Sequence, residues 1–341
     1  MIKIKLIELD KHRNETTFRP FLKCQNELRD VGIEFVLDGN NYDFSFVGQA
    51  SIINKKVSLK ESIKEGLDFL KTINGDYFIL DGQDSTSVIG TFDVFKESKA
   101  ILMLKNSLLK NRDLYNRGWV NGRYYWGLGD YKPENYNLYS DRIVLSGTNW
   151  LGTMTPQWLS YDKNKFYDMA ALFTYPTTVA GYEYTVCNSY HYDINRKLAM
   201  NIINNSKFKI AKLLNGQRLP EQEYYSMMYN SKIVFSPFGY GEVATRDIQA
   251  VSFGSIVLKP DMGHVDTIPN IYIPNETYIP CKLDFSDLDD KIHYILENYN
   301  QLQEKLTTNM RELYIKEYSD EKLALYLYQL FSSLPMIGKE N

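Results

Sequence analysis

The stretch "SPFGYGEVATRDIQAVSFGSIVLKPD", Ser236 to Asp261, decides how the chain is read. With "KIV" before it, it spells a strand, a turn holding Gly239 and Gly241, a helix with Arg246 just inside its start, and a second apolar strand. In open parallel sheets, ligands bind beyond the carboxyl ends of the strands, where helix N-termini also point. The glycines permit positive φ and close approach of backbone to a ligand. Unpaired N–H groups at a helix start favour an anion. Arg246 adds a planar fork matched to phosphate oxygens. The stretch therefore suits a phosphorylated ligand, a nucleotide diphosphate. It is neither a Walker A loop, because G-K-[ST] is absent, nor a G-x-G-x-x-G fingerprint.

Outward from this unit the pattern repeats. Downstream of about Met169, "MAALFTYPTT", "KFKIAKLLNG", "KIVFSPFG" and "SIVLKPD" read as strands. Between them "YHYDINRKLAMNIINN", with Leu198, Ile202 and Ile203 inward, "LPEQEYYSMMYNS" and "ATRDIQAVSFG" read as helices, the last stopped by Gly254. Two helical segments close the chain from Ser286. Upstream, "IKIKLIEL", "GIEFVLDG", "YDFSFVGQ", "GDYFILDG" and "KAILMLKN" read as strands. A helix over about 17–31, a helix opened by a Ser58/Glu61 capping box and a short helix in "SVIGTFDVFKES" separate them. Such alternation predicts an α/β chain with largely parallel sheets. The division is two doubly wound, Rossmann-like domains facing across a cleft, 1–165 and 166–341, with the last helices packing back on the first. Residues 116–154 are rich in Gly, Asn and aromatics and lack periodicity, which marks ordered loops on a cleft rim.

Composition narrows the function. The chain has 341 residues, ordinary charged and apolar fractions and a net charge of −3, which argues against a general electrostatic grip on nucleic acid. The three cysteines Cys24, Cys187 and Cys281 are scattered, with neither metal spacing nor a disulfide framework. No apolar run is long enough to span a bilayer, and "MIKIKLIELDKHRNETTF" has no signal-peptide core, so a cytoplasmic protein is expected. The 27 tyrosines read in bulk as codon composition. Within the 116–154 segment, Trp119, Tyr124, Tyr125 and Trp126 are the candidates for stacking on a sugar, against the plainer reading that they pack the loop down.

"SKIVFSPFGYGEVATRDIQAVSFGSIVLKPD" resembles the donor-binding segment of exostosin-type glycosyltransferases. Ser236, Pro237 and Gly239 match the family's Ser-Pro-x-Gly, Arg246 and Ala250 its Arg-x-x-Glu-Ala, and Gly254 the following turn. The resemblance implies the GT-B fold, a nucleotide-sugar co-substrate, a hydroxyl-bearing acceptor such as a glycan, and inversion at the anomeric carbon; no metal or other cofactor is expected. The family's Glu after Arg-x-x is Gln249 here, which leaves nucleotide choice open; Asp247 or Glu242 offers a substitute carboxylate.

Sugar transfer needs a stabilised leaving diphosphate and an acceptor hydroxyl that loses its proton. The donor-side set is Ser236, Gly239, Tyr240, Gly241, Glu242, Arg246 and Gln249, with Arg196, Lys212 and Arg218 as further cations. Asp84 is the preferred base, because it lies beyond a strand's carboxyl end in "LDGQDST"; Asp81 is the second candidate. The plainer reading of Asp84 is a helix N-cap. His264 follows the strand after the donor helix. The Asp287–Asp290 run reads as a helix start rather than a metal site. A transferase acting on modified DNA and a noncatalytic nucleotide- or sugar-binding module remain the competing classes.

Overall fold

The computed structural model describes residues 1–8, 18–54, 56–129, 131–174, 190–213 and 219–333, with backbone only at 150 and 190–194. Thirteen strands run in chain order: β1 Ile2–Ile7, β2 Ile33–Val36, β3 Phe44–Gly48, β4 Asp76–Asp81, β5 Met103–Lys105, β6 Leu108–Leu109, β7 Ile143–Leu145, β8 Tyr167–Ala171, β9 Ile210–Lys212, β10 Ser231–Phe235, β11 Ile256–Pro260, β12 Val265–Asp266 and β13 Ile279–Cys281. The helices are α1 Arg19–Lys23, α2 Gln25–Asp30, α3 Leu59–Leu70, α4 Thr91–Glu97, α5 Tyr190–Asn204, α6 Glu221–Tyr229, α7 Thr245–Ser252, α8 Leu288–Glu297, α9 Tyr299–Glu317 and α10 Asp320–Ser332.

A six-stranded parallel sheet has the order β2-β1-β3-β4-β5-β7, and a five-stranded parallel sheet the order β13-β11-β10-β8-β9. Helices cover both, as the buried faces of parallel strands require. In the first sheet β3 and β5 are buried along their whole length, and in the second β11 is. The strand order reverses between β1 and β3 in the first sheet and between β8 and β10 in the second. These reversals are the topological switch points, where doubly wound sheets leave a crevice.

Local chemistry explains the element ends. Ser58 caps α3 by accepting from Glu61 N–H at 3.3 Å, and Gly254, at φ +68°, ends α7. The expected helix over 17–31 is instead two short ones, broken at Cys24, whose ψ of 25° leaves the helical region. The inward face of α5 also differs. Ala199, Met200 and Ile203 are buried, whereas Leu198 is 41% exposed. Ala199, Met200 and Ile203 lie on one helical face, and Leu198, about 100° round from Ala199, falls beside it toward solvent.

The halves are joined in several places. Leu323, Ala324, Leu327 and Phe331 of the C-terminal α10 enter the core of the first sheet beside Phe46 and Phe78. Strands β12 and β6 form an antiparallel pair between the halves, flanked by the Arg112–Asp266 ion pair at 2.8 Å. No helix of the described residues is long and apolar enough to cross a membrane.

Candidate functional site

Residues Ser236–Glu242 connect β10 to α7 at the switch point of the second sheet. The loop is fastened from both halves. Within its own half, Arg196 of α5 donates from Nη1 to Thr174 O at 2.8 Å and from Nε to Phe238 O at 3.4 Å. That guanidinium bridges the ends of β8 and β10 and stacks 5.5 Å from the Phe173 ring. From the other half, Arg123 Nε donates to Tyr240 O at 2.7 Å. The Tyr125 hydroxyl donates to the same carbonyl at 2.7 Å and approaches Gly239 O at 3.0 Å.

Gly241 touches the turn after β4. A Cβ there would lie 1.7 Å from Asp84 O, so only glycine fits. The reason is close approach: neither Gly239 nor Gly241 adopts the positive φ that the sequence suggested. Glu242, wholly buried, accepts from Thr86 N–H at 3.1 Å and Thr86 Oγ1–H at 2.8 Å. Burial raises its carboxyl pKa, and the Thr86 bonds oppose that rise. Glu242 is thus a brace between the halves and makes no ion pair with Arg246 in the described structure.

Beneath the loop lies a buried charge pair. Lys259, at the end of β11, is 3.0 Å from Asp247 of α7, and both side chains are fully buried. The Tyr272 hydroxyl donates to Asp247 at 2.7 Å. Burial lowers the Lys259 pKa, and Asp247 opposes this. His264 packs on Tyr124 and Phe238, with ring centroids 5.1 and 5.8 Å away. Its burial brings the imidazole pKa down to about 4, so it is neutral at pH 7.

Arg246 occupies the first turn of α7, half-buried, with Nε 3.3 Å from the Tyr224 hydroxyl. Its Nη1 is buried without a hydrogen-bond partner among the described residues. A buried guanidinium N–H in that state calls for an acceptor. One turn on, Gln249 Nε2 meets the Tyr225 hydroxyl at 3.3 Å. Gln249 also lines a groove of about 630 Å³ between α6, α7 and the 154–159 segment, walled by Pro156, Leu159, Tyr225 and Phe253.

The other expected residues are more scattered. Ser236 is buried at the end of β10, its hydroxyl without a hydrogen-bond partner among the described residues. Lys212 turns to Asn204, 2.6 Å away. Arg218 lies outside the described residues. Asp84 is exposed beside Gly241 and does not cap α4, whose N-cap is Gly90. Asp81 corrects the expectation of a cleft-facing acid: it is fully buried, 3.5 Å from Lys105. The aromatic loop is corrected too. Trp119, Tyr125 and Trp126 are buried, their rings engaged by protein. Tyr124 is half-buried and packs edge-on against Trp119 at 4.9 Å. The segment folds inward because Arg123 lies 4.6 Å from the Trp126 ring and carries it onto the Tyr240 loop.

Sequence reasoning missed Arg123, Lys259 and the contact between Glu242 and Thr86, which it offered instead as an orienting partner for Asp84. A lone arginine inside "NGRYYWG" is the one available hint, since a guanidinium among aromatics finds a ring face. The Asp287–Asp290 run does start a helix, with Asp289 and Asp290 in the first turn of α8. No cluster of three or more His, Cys, Asp or Glu suited to a metal occurs among the described residues.

Neither a protein-family model nor a curated protein matches the chain. Solved structures do. Sucrose-phosphate synthase from Thermosynechococcus elongatus is similar with a TM-score of 0.50 at 13% identity, over 97% of this chain and 98% of that one. T4 phage BGT in complex with UDP and Mn2+ gives a TM-score of 0.48 at 11% identity, over 96% and 99%. Anabaena HepE in complex with UDP gives 0.42 at 10% identity, over 98% and 100%. At these identities the first likeness establishes the fold, GT-B with two facing Rossmann-like sheets, and nothing finer.

Proposed function

We propose that the chain is a glycosyltransferase of exostosin type, moving a sugar from a nucleotide-sugar donor to an acceptor hydroxyl with inversion and without a metal. One observation carries the reading. At the second switch point, the first turn of α7 presents Arg246 with a buried, unpartnered N–H, and that donor suits a diphosphate oxygen. HepE and BGT were solved with UDP, which makes a uridine nucleotide the first ligand to test.

In this reading residues 166–341 hold the donor. The diphosphate sits against the start of α7, and the nucleoside extends toward Gln249 and its groove. As the sugar–oxygen bond breaks, its electron pair goes to the diphosphate. Arg246 and the helix N-terminus stabilise that charge. Residues 1–165 hold the acceptor, and exposed Asp84, directly beside Gly241, takes the hydroxyl proton. Arg196, which grips two carbonyls, shapes the loop in place of a phosphate contact.

The test is nucleotide binding. At about 100 times its Kd a ligand stabilises by roughly 2.7 kcal/mol. UDP or another nucleoside diphosphate is expected to raise the Tm and to slow hydrogen exchange over 239–249, and a nucleotide sugar is expected to release its diphosphate. A panel of nucleotides and nucleotide sugars with neither effect would reject the assignment.

A further inference from the structure

The Asp247–Lys259 pair sits under the start of the helix on which the donor reading depends. Asp247 lies in the first turn of α7, next to Arg246. A carboxylate there ordinarily turns back to the unpaired N–H groups of its own helix, where the dipole favours it. Here its oxygens are drawn elsewhere. Oδ2 accepts from the Tyr272 hydroxyl at 2.7 Å and lies 3.0 Å from Lys259 Nζ. Oδ1 makes no hydrogen bond among the described residues. The N-cap of α7 is Ala244, which has no capping group. The helix start therefore keeps its donors, while its own acid is held below. Both partners are fully buried, and Lys259 Nζ lies 5.2 Å from the Phe238 ring and 5.6 Å from the Tyr272 ring. Charges in such surroundings are weakly screened.

Resting on the donor reading above, we infer that Lys259 is a positioning residue for the donor diphosphate, acting through Asp247. It cancels the Asp247 carboxylate and holds it off the first turn of α7, so that Arg246 and the helix start meet an anion with no uncompensated negative charge behind them. Without Lys259, the carboxylate repels the diphosphate and competes with it for Arg246 and the first-turn N–H groups. Lys259 is wholly buried and makes no contact with the ligand. Arg246 is near enough to act on the pair: burial lowers the Lys259 pKa, Asp247 opposes this, and the Arg246 charge lowers it again. Stability alone does not call for such a pair, because apolar side chains of similar volume usually serve a buried site as well. Its place beneath an anion site gives it a use.

The experiment uses the full chain, with UDP, GDP and ADP as probes beside their nucleosides uridine, guanosine and adenosine. Calorimetric titration gives the affinities, and a melt on the same samples reports folding. For the diphosphate that the wild type binds, Lys259→Met is expected to weaken binding by about 10 to 100-fold, the effect of one charge over about 6–12 Å at an effective dielectric constant of about 20. Affinity for the matching nucleoside, which carries no phosphate, is expected to stay at the wild-type value. Asp247→Asn is expected to bind the diphosphate at least as tightly as the wild type does. In the double variant Lys259→Met/Asp247→Asn neither charge remains, and affinity is expected to return to within about threefold of the wild type. Wild-type diphosphate affinity in Lys259→Met overturns the inference. So does an equal loss of diphosphate and nucleoside affinity, since a displaced helix weakens both. If Lys259→Met does not fold, or no nucleoside binds measurably, the double variant decides. Diphosphate affinity near the wild type then supports the pairing, and a loss of about tenfold or more overturns it. A wild type that binds none of the diphosphates fails the donor reading and removes this one with it.

Discussion

Arg246 is the residue on which the donor assignment turns. Its Nε has the Tyr224 hydroxyl and its Nη1 has no partner among the described residues, so one arm of the fork is committed to structure and another is offered to a ligand. Arg246→Ala is expected to weaken nucleoside-diphosphate binding by about 10 to 150-fold, because charge-assisted hydrogen bonds contribute roughly 1.5–3 kcal/mol. kcat/KM should fall further, as charge on the diphosphate grows in the transition state. Arg246→Lys should recover only part, since an ammonium lacks the planar two-point contact. The Tm should change little, because Arg246 is half-buried and its only described hydrogen bond is the long one to Tyr224. Calorimetric titration and a melt on the same samples check this. A large drop in Tm with unchanged affinity would make Arg246 structural. Glu242 shows the opposite outcome. It was a ligand candidate in the sequence, and Thr86 takes both its carboxylate oxygens.

At the level of elements, the Ser236–Glu242 loop is shaped less by its own glycines than by what presses on it. Arg196, Arg123 and Tyr125 fix three of its carbonyls, and Gly241 yields its Cβ space to Asp84 O. The loop is therefore held by protein contacts from both halves. Gly241→Ala forces either this loop or the turn after β4 to move, and overpacking of this kind usually removes about 1–3 kcal/mol. The expected outcome is a lower Tm together with weaker nucleotide binding, because Arg246 and the start of α7 follow the loop. Thermal melts and binding isotherms of the variant give both numbers. Wild-type values in both would mean that the contact is dispensable.

Across the whole molecule, contacts between the halves predict that they unfold together. α10 arrives from the end of the chain to complete the core of the first sheet. The β6–β12 pair and the Glu242–Thr86 bonds tie the floor of the crevice. Leu327, wholly buried in that core, is the point to probe. Leu327→Ala is expected to destabilise by about 2–5 kcal/mol. It should do so in a single unfolding transition that far-UV circular dichroism and tryptophan fluorescence follow alike. Separate transitions for the two halves would show that the ties are weak.

How much was legible follows from which forces are local. Strand and helix alternation was readable because apolar periodicity and caps are written in neighbouring residues: Ser58 caps α3, and Gly254 stops α7. The strand–turn–helix around Ser236–Arg246 was readable for the same reason, since glycine placement and a helix start are short-range properties. Only the tertiary structure decided that Asp81 is sealed against Lys105, and that Trp119, Tyr125 and Trp126 face inward. It likewise decided that Arg123 reaches Tyr240, 117 residues away, and that Glu8 packs against Gly48 and Ser51 after β3. Those arrangements depend on strand order and on which buried charge finds which partner. Such contacts form between residues far apart in the chain, and no local pattern encodes them.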